Sequence, residues 1–191
     1  MLRHLVFTVV VGLSACGGGD GARFAPASGD VHCGLKVGTE RVWGVVTSVH
    51  DGDTMSIGAE SIRLASIDAP ELDQAHGPSS RAHLSASVLG QSVTVTYAEK
   101  DRYGRVLGTV FKPDCRNVNL DLVWEGAAWF YEAYQCDIEL RQRQAYAAAQ
   151  AQARAAQRGL WSADAVAPWV HRNGVDAKVP ISCAHGDEAT H

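Results

Sequence analysis

A chain of 191 residues with 46% apolar content has enough material to bury one proper core, and its composition does not divide it into two domains. Its formal net charge of −4 excludes the uniformly basic surface of a passive nucleic-acid coat, while leaving room for a local cluster of arginines.

The first segment reads as export signal, not fold. Arg3 precedes an apolar run over residues 5–13 and then small residues, the order of a secretory signal peptide, too short to span a bilayer as a stable helix. "LSAC", residues 13–16, resembles the lipobox of bacterial lipoproteins, so residues 1–15 are expected to be removed and Cys16 to carry lipid. Residues 16–32, rich in Gly, Ala, Ser and Pro, form a flexible tether. Gly17, in place of the aspartate that often marks inner-membrane retention, points to the outer membrane. In an exported chain, Cys33, Cys115, Cys136 and Cys183 are expected to form two disulfides. Four cysteines admit three connectivities. The pairing expected is Cys115–Cys136, closing a local loop around one helix, with Cys33–Cys183 tying the chain's ends to the domain.

Short β-branched and apolar runs at 42–49, 54–57, 61–67, 91–97 and 107–111 predict five strands. A helix between the third and fourth fits "SSRAHLSASVLG", with Ser79 or Ser80 at its cap and Gly90 past its end. Further helices fit 118–125, closed by Gly126, and 138–158, stopped at Gly159. Five strands with a helix after the third predict an OB-fold, a small five-stranded Greek-key β-barrel with about three α-helices, over residues 33–162. The pattern decays in residues 163–191, which receive no assignment.

Three clusters carry chemistry. "VHDGDTMSI", residues 49–57, holds Asp51 and Asp53 between two strands; Asp-Gly alone is explained by a hairpin turn, and an EF-hand is excluded because Ser56 stands where that loop needs Gly. "RLASIDAPE", residues 63–71, places Arg63 and Ile67 on one strand face and brings Asp68 and Glu71 around Pro70. Asp53 and Asp68 meet if their strands pair, and such oxygen donors suit Ca²⁺ better than Zn²⁺. "DRYGR", residues 101–105, sets an aromatic and a guanidinium on a Gly-containing turn. His50, His76 and His83 have no recognised ligand spacing.

These three clusters in this order, with "VNLDLVWEGAAWFY" and the closing "GLWS", closely resemble the staphylococcal nuclease (thermonuclease) family from about residue 42 to 162. The resemblance implies Asp53 and Asp68 as Ca²⁺ ligands, Ala69 as a further ligand through its main-chain carbonyl, Asp51 and Glu71 as carboxylates lining the site, and Arg63 and Arg105 as phosphate-binding arginines. Ala69 departs from the threonine of the founding member, which alters the surroundings of the ligands without removing a carbonyl. The implied reaction is hydrolysis of DNA and RNA to 3′-phosphate products, with Glu71 as general base or water-positioning group.

The residue types also follow from the chemistry. Phosphodiester hydrolysis builds charge on phosphoryl oxygens, which a fixed cation and bidentate guanidinium forks stabilise. Tyr103 and Tyr134 are the candidates for stacking on bases in a single-strand groove, and single strands are the expected preferred substrate. The expected protein is a monomeric, lipid-anchored nuclease. Rival classes are a catalytically silent OB module that binds nucleic acid or protein, and a structural envelope lipoprotein.

Overall fold

The structure is a computed structural model that describes residues 39–175 together with Cys33 and Cys183. The expected signal peptide, Cys16 and the expected tether lie outside the described residues. Seven strands and four helices follow in chain order: β1 (Glu40–Val49), β2 (Thr54–Ile57), β3 (Glu60–Leu64), β4 (Ile67–Asp68), α1 (Gly77–Val88), β5 (Ser92–Lys100), β6 (Val106–Phe111), α2 (Val118–Trp124), β7 (Trp129–Phe130), α3 (Leu140–Ala155) and α4 (Pro168–Asn173). Strands β1-β2-β3-β6-β5 close into the expected barrel, with β3 and β6 the parallel pair. Alternation drives this closure. Met55, Ile62, Leu64, Val95, Val106 and Val110 turn inward and are fully buried, alternating with less buried neighbours such as Ser56, Arg63, Thr94, Leu107 and Thr109. None of the helices among the described residues is long and apolar enough to cross a membrane.

The expected third strand, 61–67, is two elements. It stops at Leu64, and Ser66 takes a left-handed φ of 63°, so that β4 leaves the barrel and pairs antiparallel with β7. Arg63 and Ile67 therefore do not share a strand face. Buried Asn119 of α2 secures the turn: its amide nitrogen donates to the carbonyls of Ala65 (2.9 Å) and Gly108 (3.1 Å), and its oxygen accepts from the amide of Val110 (3.0 Å).

The helices match their expected places, with shifted ends. α1 begins before Ser79 because Pro78 sits in its first turn, where a missing N–H costs nothing, and Ser80 instead donates to the carbonyl of Ala127. Gly90 and Gly126 follow α1 and α2 with positive φ, as their stop roles require. α4, in the unassigned tail, starts on Pro168 and ends at left-handed Gly174. Its Trp169 stacks on Tyr131 at 5.2 Å between centroids and meets Trp129 edge-on.

Both expected disulfides are corrected. Cys33 pairs with Cys115, and Cys136 with Cys183. Cys115 lies on the turn after β6, Cys136 in a 3-10 turn after β7 (Glu132–Asp137). Closeness in sequence misleads here because α2 and β7 intervene between the two cysteines. Each bridge instead joins the body to one end of the chain.

Candidate active site

The β1–β2 connection is not the two-residue hairpin that Asp-Gly suggests on its own. Val49 pairs with Met55, and the loop is closed by the His50 amide donating to the Thr54 carbonyl at 2.8 Å. Within it, the Asp53 amide donates to Asp51 Oδ1 at 2.9 Å, an Asx-type turn that aims Asp53 inward. Gly52 serves close approach. A Cβ there would lie 2.6 Å from Cβ of Ala69 and closer still to Ser80, so any side chain would push the loop off β4 and α1.

Asp53 and Asp68, only 5% and 1% exposed, are brought together by one guanidinium. Arg63 Nη1 lies 3.0 Å from Asp53 Oδ2, and its Nη2 donates to Asp68 Oδ1 at 2.9 Å. Nη1 also donates to the carbonyls of Leu64 (2.9 Å) and Ile67 (3.1 Å), so the β3–β4 turn wraps the head group. Asp53 accepts further bonds from Thr54 Oγ1 (3.1 Å) and from the amide of Ala69 (2.7 Å). Ala69 is thus attached to the site through its N–H. Burial, opposed by Arg63 and reinforced by the charges of Asp51 and Asp68, pushes the Asp53 carboxyl up to about 7. Burial also raises Asp68, against the pull of Arg172 and Arg63.

Arg172, from α4, is the residue that the sequence reading missed. Its Nη2 donates to Asp68 Oδ2 at 2.6 Å, and its Nη1 to Glu71 Oε1 at 2.6 Å and to Asp68 Oδ1 at 3.3 Å. Burial works against its charge, but the bonds to Asp68 and Glu71 prevail and raise its pKa. Asp51, Glu71, Leu72, Asp73, His171 and Arg172 line an open cleft of about 560 Å³ beside the buried pair. Of the sequence signals in the tail, the Pro and Gly that bracket "PWVHRNG" mark a helix, and nothing local marks the arginine's partner.

Arg105 stands apart from this cluster. The parallel register sets Arg63 opposite Leu107, and Arg105 lies on the turn two residues earlier, just before β6 begins. Asp101 holds it there: Oδ2 accepts from Arg105 Nε at 2.8 Å and lies 2.8 Å from Nη2, while Oδ1 accepts from the amides of Tyr103 (2.9 Å) and Arg105 (3.0 Å). Although some desolvation opposes it, this bonding leaves Asp101 below its ordinary carboxylate value. The guanidinium lies 5.4 Å from the Tyr103 ring. Tyr103 and Tyr134 are both exposed, and Tyr134 rests edge-on against Tyr131, 5.2 Å away. Asp101 was legible as part of "DRYGR", but its role as the clamp was not.

The donor chemistry suits a hard divalent cation. Carboxylates Asp51, Asp53, Asp68, Glu71 and Asp73 outnumber the guanidiniums of Arg63 and Arg172, and sulfur ligands are absent from the cluster. Among the described residues, however, no three acidic, His or Cys side chains are already gathered as a ready cage. The carboxylates meet through arginines.

Comparison with known proteins agrees with this geometry. The model of the staphylococcal nuclease homologue family matches residues 61–163, from β3 to just before α4. An uncharacterized endonuclease of Escherichia coli is 46% identical over 137 residues, 69% of this chain and 86% of that protein. A micrococcal nuclease of Shigella flexneri is 37% identical over 142 residues, 68% and 79% of the two chains. An uncharacterized endonuclease of Haemophilus influenzae is 40% identical over 122 residues, 61% and 65%. With the barrel closed, and with Asp53, Asp68 and Arg63 joined on it, the chain belongs to the staphylococcal nuclease family and is a nuclease, a hydrolase acting on nucleic acids.

Proposed function

We propose that this nuclease is Ca²⁺-dependent, prefers single-stranded DNA and RNA, and releases 3′-phosphate products. The observation that carries this reading is Arg63 spanning the buried carboxylates of Asp53 and Asp68. Asp53 and Asp68, with the Ala69 carbonyl, would hold the ion, and Asp51 would support them from the adjoining turn. When bound, a divalent ion supplies positive charge against the developing phosphoryl oxyanion. Arg63 and Arg105 bind phosphate oxygens with paired donors, and Asp101 keeps the Arg105 fork oriented before substrate arrives. Glu71, at the cleft wall, accepts the proton of the attacking water. Tyr103 and Tyr134 offer exposed rings for base stacking, a contact indifferent to sequence. The protein acts as a monomer held to the bacterial envelope, at the outer membrane, by lipid on Cys16.

The test is digestion of single- and double-stranded DNA and of RNA by the purified chain, with Ca²⁺ and then with a chelator, followed by end-group analysis. Cleavage that stops on chelation and leaves 3′-phosphates is expected. Binding without cleavage would instead favour a silent OB module, and cleavage indifferent to chelation would remove the Ca²⁺ reading. For the anchor, radiolabelled palmitate should enter the wild-type chain and not the Cys16→Ser variant.

A further inference from the structure

Arg172 lies outside the matched family region and yet contacts the centre of the site. Its placement is built. Pro168 is buried, Trp169 is wedged against Tyr131 and Trp129, and Gln74 Nε2 donates to the carbonyl of Val166 at 3.1 Å, so the chain entering α4 is fastened to the body. Beyond the helix, the Cys136–Cys183 bridge fastens it again. With the helix so held, the guanidinium forks onto Asp68 and reaches Glu71. Together with Arg63 it engages both oxygens of Asp68.

A calcium ion requires six to eight oxygens at about 2.3–2.6 Å, and Arg172 already bonds both oxygens of Asp68, a proposed ligand, and Oε1 of Glu71 beside it. A guanidinium and a cation cannot hold one carboxylate oxygen from the same side, since each needs it in first contact and their charges repel. The two arginines differ in what release would cost. Arg63 is 17% exposed and bonded to two carbonyls, whereas the Arg172 side chain is 39% exposed at the cleft mouth and, among the described residues, donates to carboxylates. Resting on the reading of this cluster as a cation site, we propose that Arg172 is an intramolecular competitor for that site: it neutralises Asp68 and Glu71 while the ion is absent and must leave them for the ion to bind.

The experiment is calorimetric titration of the full chain with Ca²⁺ alone, without nucleic acid, in the wild type, Arg172→Gln and Arg172→Lys, with melting temperatures recorded in chelator and in saturating Ca²⁺. Coupling energies of this kind typically correspond to about 5–150-fold in affinity. Arg172→Gln should therefore bind Ca²⁺ at least about fivefold more tightly, and Ca²⁺ should raise its melting temperature more than it raises that of the wild type. Arg172→Lys, which keeps the charge but loses the fork, should fall between them and carries the test if Gln impairs folding. Equal or weaker binding by both variants overturns the competitor while leaving the cation site standing. Absence of Ca²⁺ binding in all three proteins overturns both readings.

Discussion

Two regions deliver an arginine to Asp68, and they do so on different terms. The β3–β4 turn encloses Arg63 with the Leu64 and Ile67 carbonyls, and Asn119 pins the turn from behind. α4 delivers Arg172 from a short helix seated on aromatic rings, with the head group at the cleft mouth. A charge anchored to backbone acceptors within the barrel wall is part of the fold, whereas one whose described partners are carboxylates at the rim has less holding it in place. Removing Arg63 should show the difference most strongly. Arg63→Ala leaves Asp53 and Asp68 buried with less compensating charge, so a loss of about 3–5 kcal/mol in urea unfolding is expected. Activity on DNA should fall by roughly two to three powers of ten. A variant that unfolds like the wild type would place Arg63 among the less firmly held charges and erase the contrast.

Arg105 sharpens the comparison because it too is paired with an aspartate but is more exposed than Arg63. Its pair with Asp101 is partly exposed, and such pairs contribute about 0–1 kcal/mol to stability. Arg105→Ala should therefore lose about two to three powers of ten in kcat with an almost unchanged urea midpoint. Asp101→Asn, which keeps the shape and weakens the clamp, should lose less.

What local pattern encodes was legible in advance: the barrel strands, the three longer helices, and the acidic and basic clusters all follow from alternation, stop residues and ordered motifs. Asp53, Asp68 and Arg63 were expected together and do meet. What escaped depends on contacts distant in sequence. The break of β3 at Ser66 is decided by Asn119, more than fifty positions later, and by β7 offering β4 a partner. Arg172 reaches Asp68 across a separation of 104 residues. The disulfides failed for the same reason, since loop closure in sequence says little about which chain ends the fold brings together.

Proton linkage separates the buried site from the rim through two aspartates. Asp53 is raised from 3.8 to about 7 in the folded chain, so between those values the native state holds a proton that the unfolded state has released. Its contribution to stability is full below the unfolded value and is lost as pH rises through about 7. Asp101 is lowered, so its contribution is present above the unfolded value and is lost as pH falls. In chelator, the wild type should therefore gain stability over Asp53→Asn between pH 7.5 and 5, by no more than about 3 kcal/mol. Asp101→Asn should lack any such gain relative to the wild type. Urea midpoints across that range decide it, and parallel curves for wild type and Asp53→Asn would show that Asp53 is ionised throughout.

The smallest effect concerns how firmly the wall around Arg63 is held. Asn119→Ala would leave the buried Val110 amide without its acceptor and remove the Asn119 donor from the Ala65 and Gly108 carbonyls, the latter keeping the Ala65 amide, a loss of about 1–3 kcal/mol. The turn keeps other attachments: the Tyr131 amide donates to the Ser66 carbonyl at 2.9 Å, and Gln150 of α3 accepts from the Phe130 amide at 3.0 Å, bracing β7 behind β4. Asp68 should therefore shift only slightly. Activity per folded molecule should fall by about tenfold or less, below the roughly hundredfold that a full ångström of misplacement can cost. Gln150→Ala removes the brace from the opposite side, and the double variant should lose more activity than the product of the single losses. If the losses simply multiply, Asn119 and Gln150 do not support a common structure, and Asp68 is placed by its arginine contacts independently of that brace.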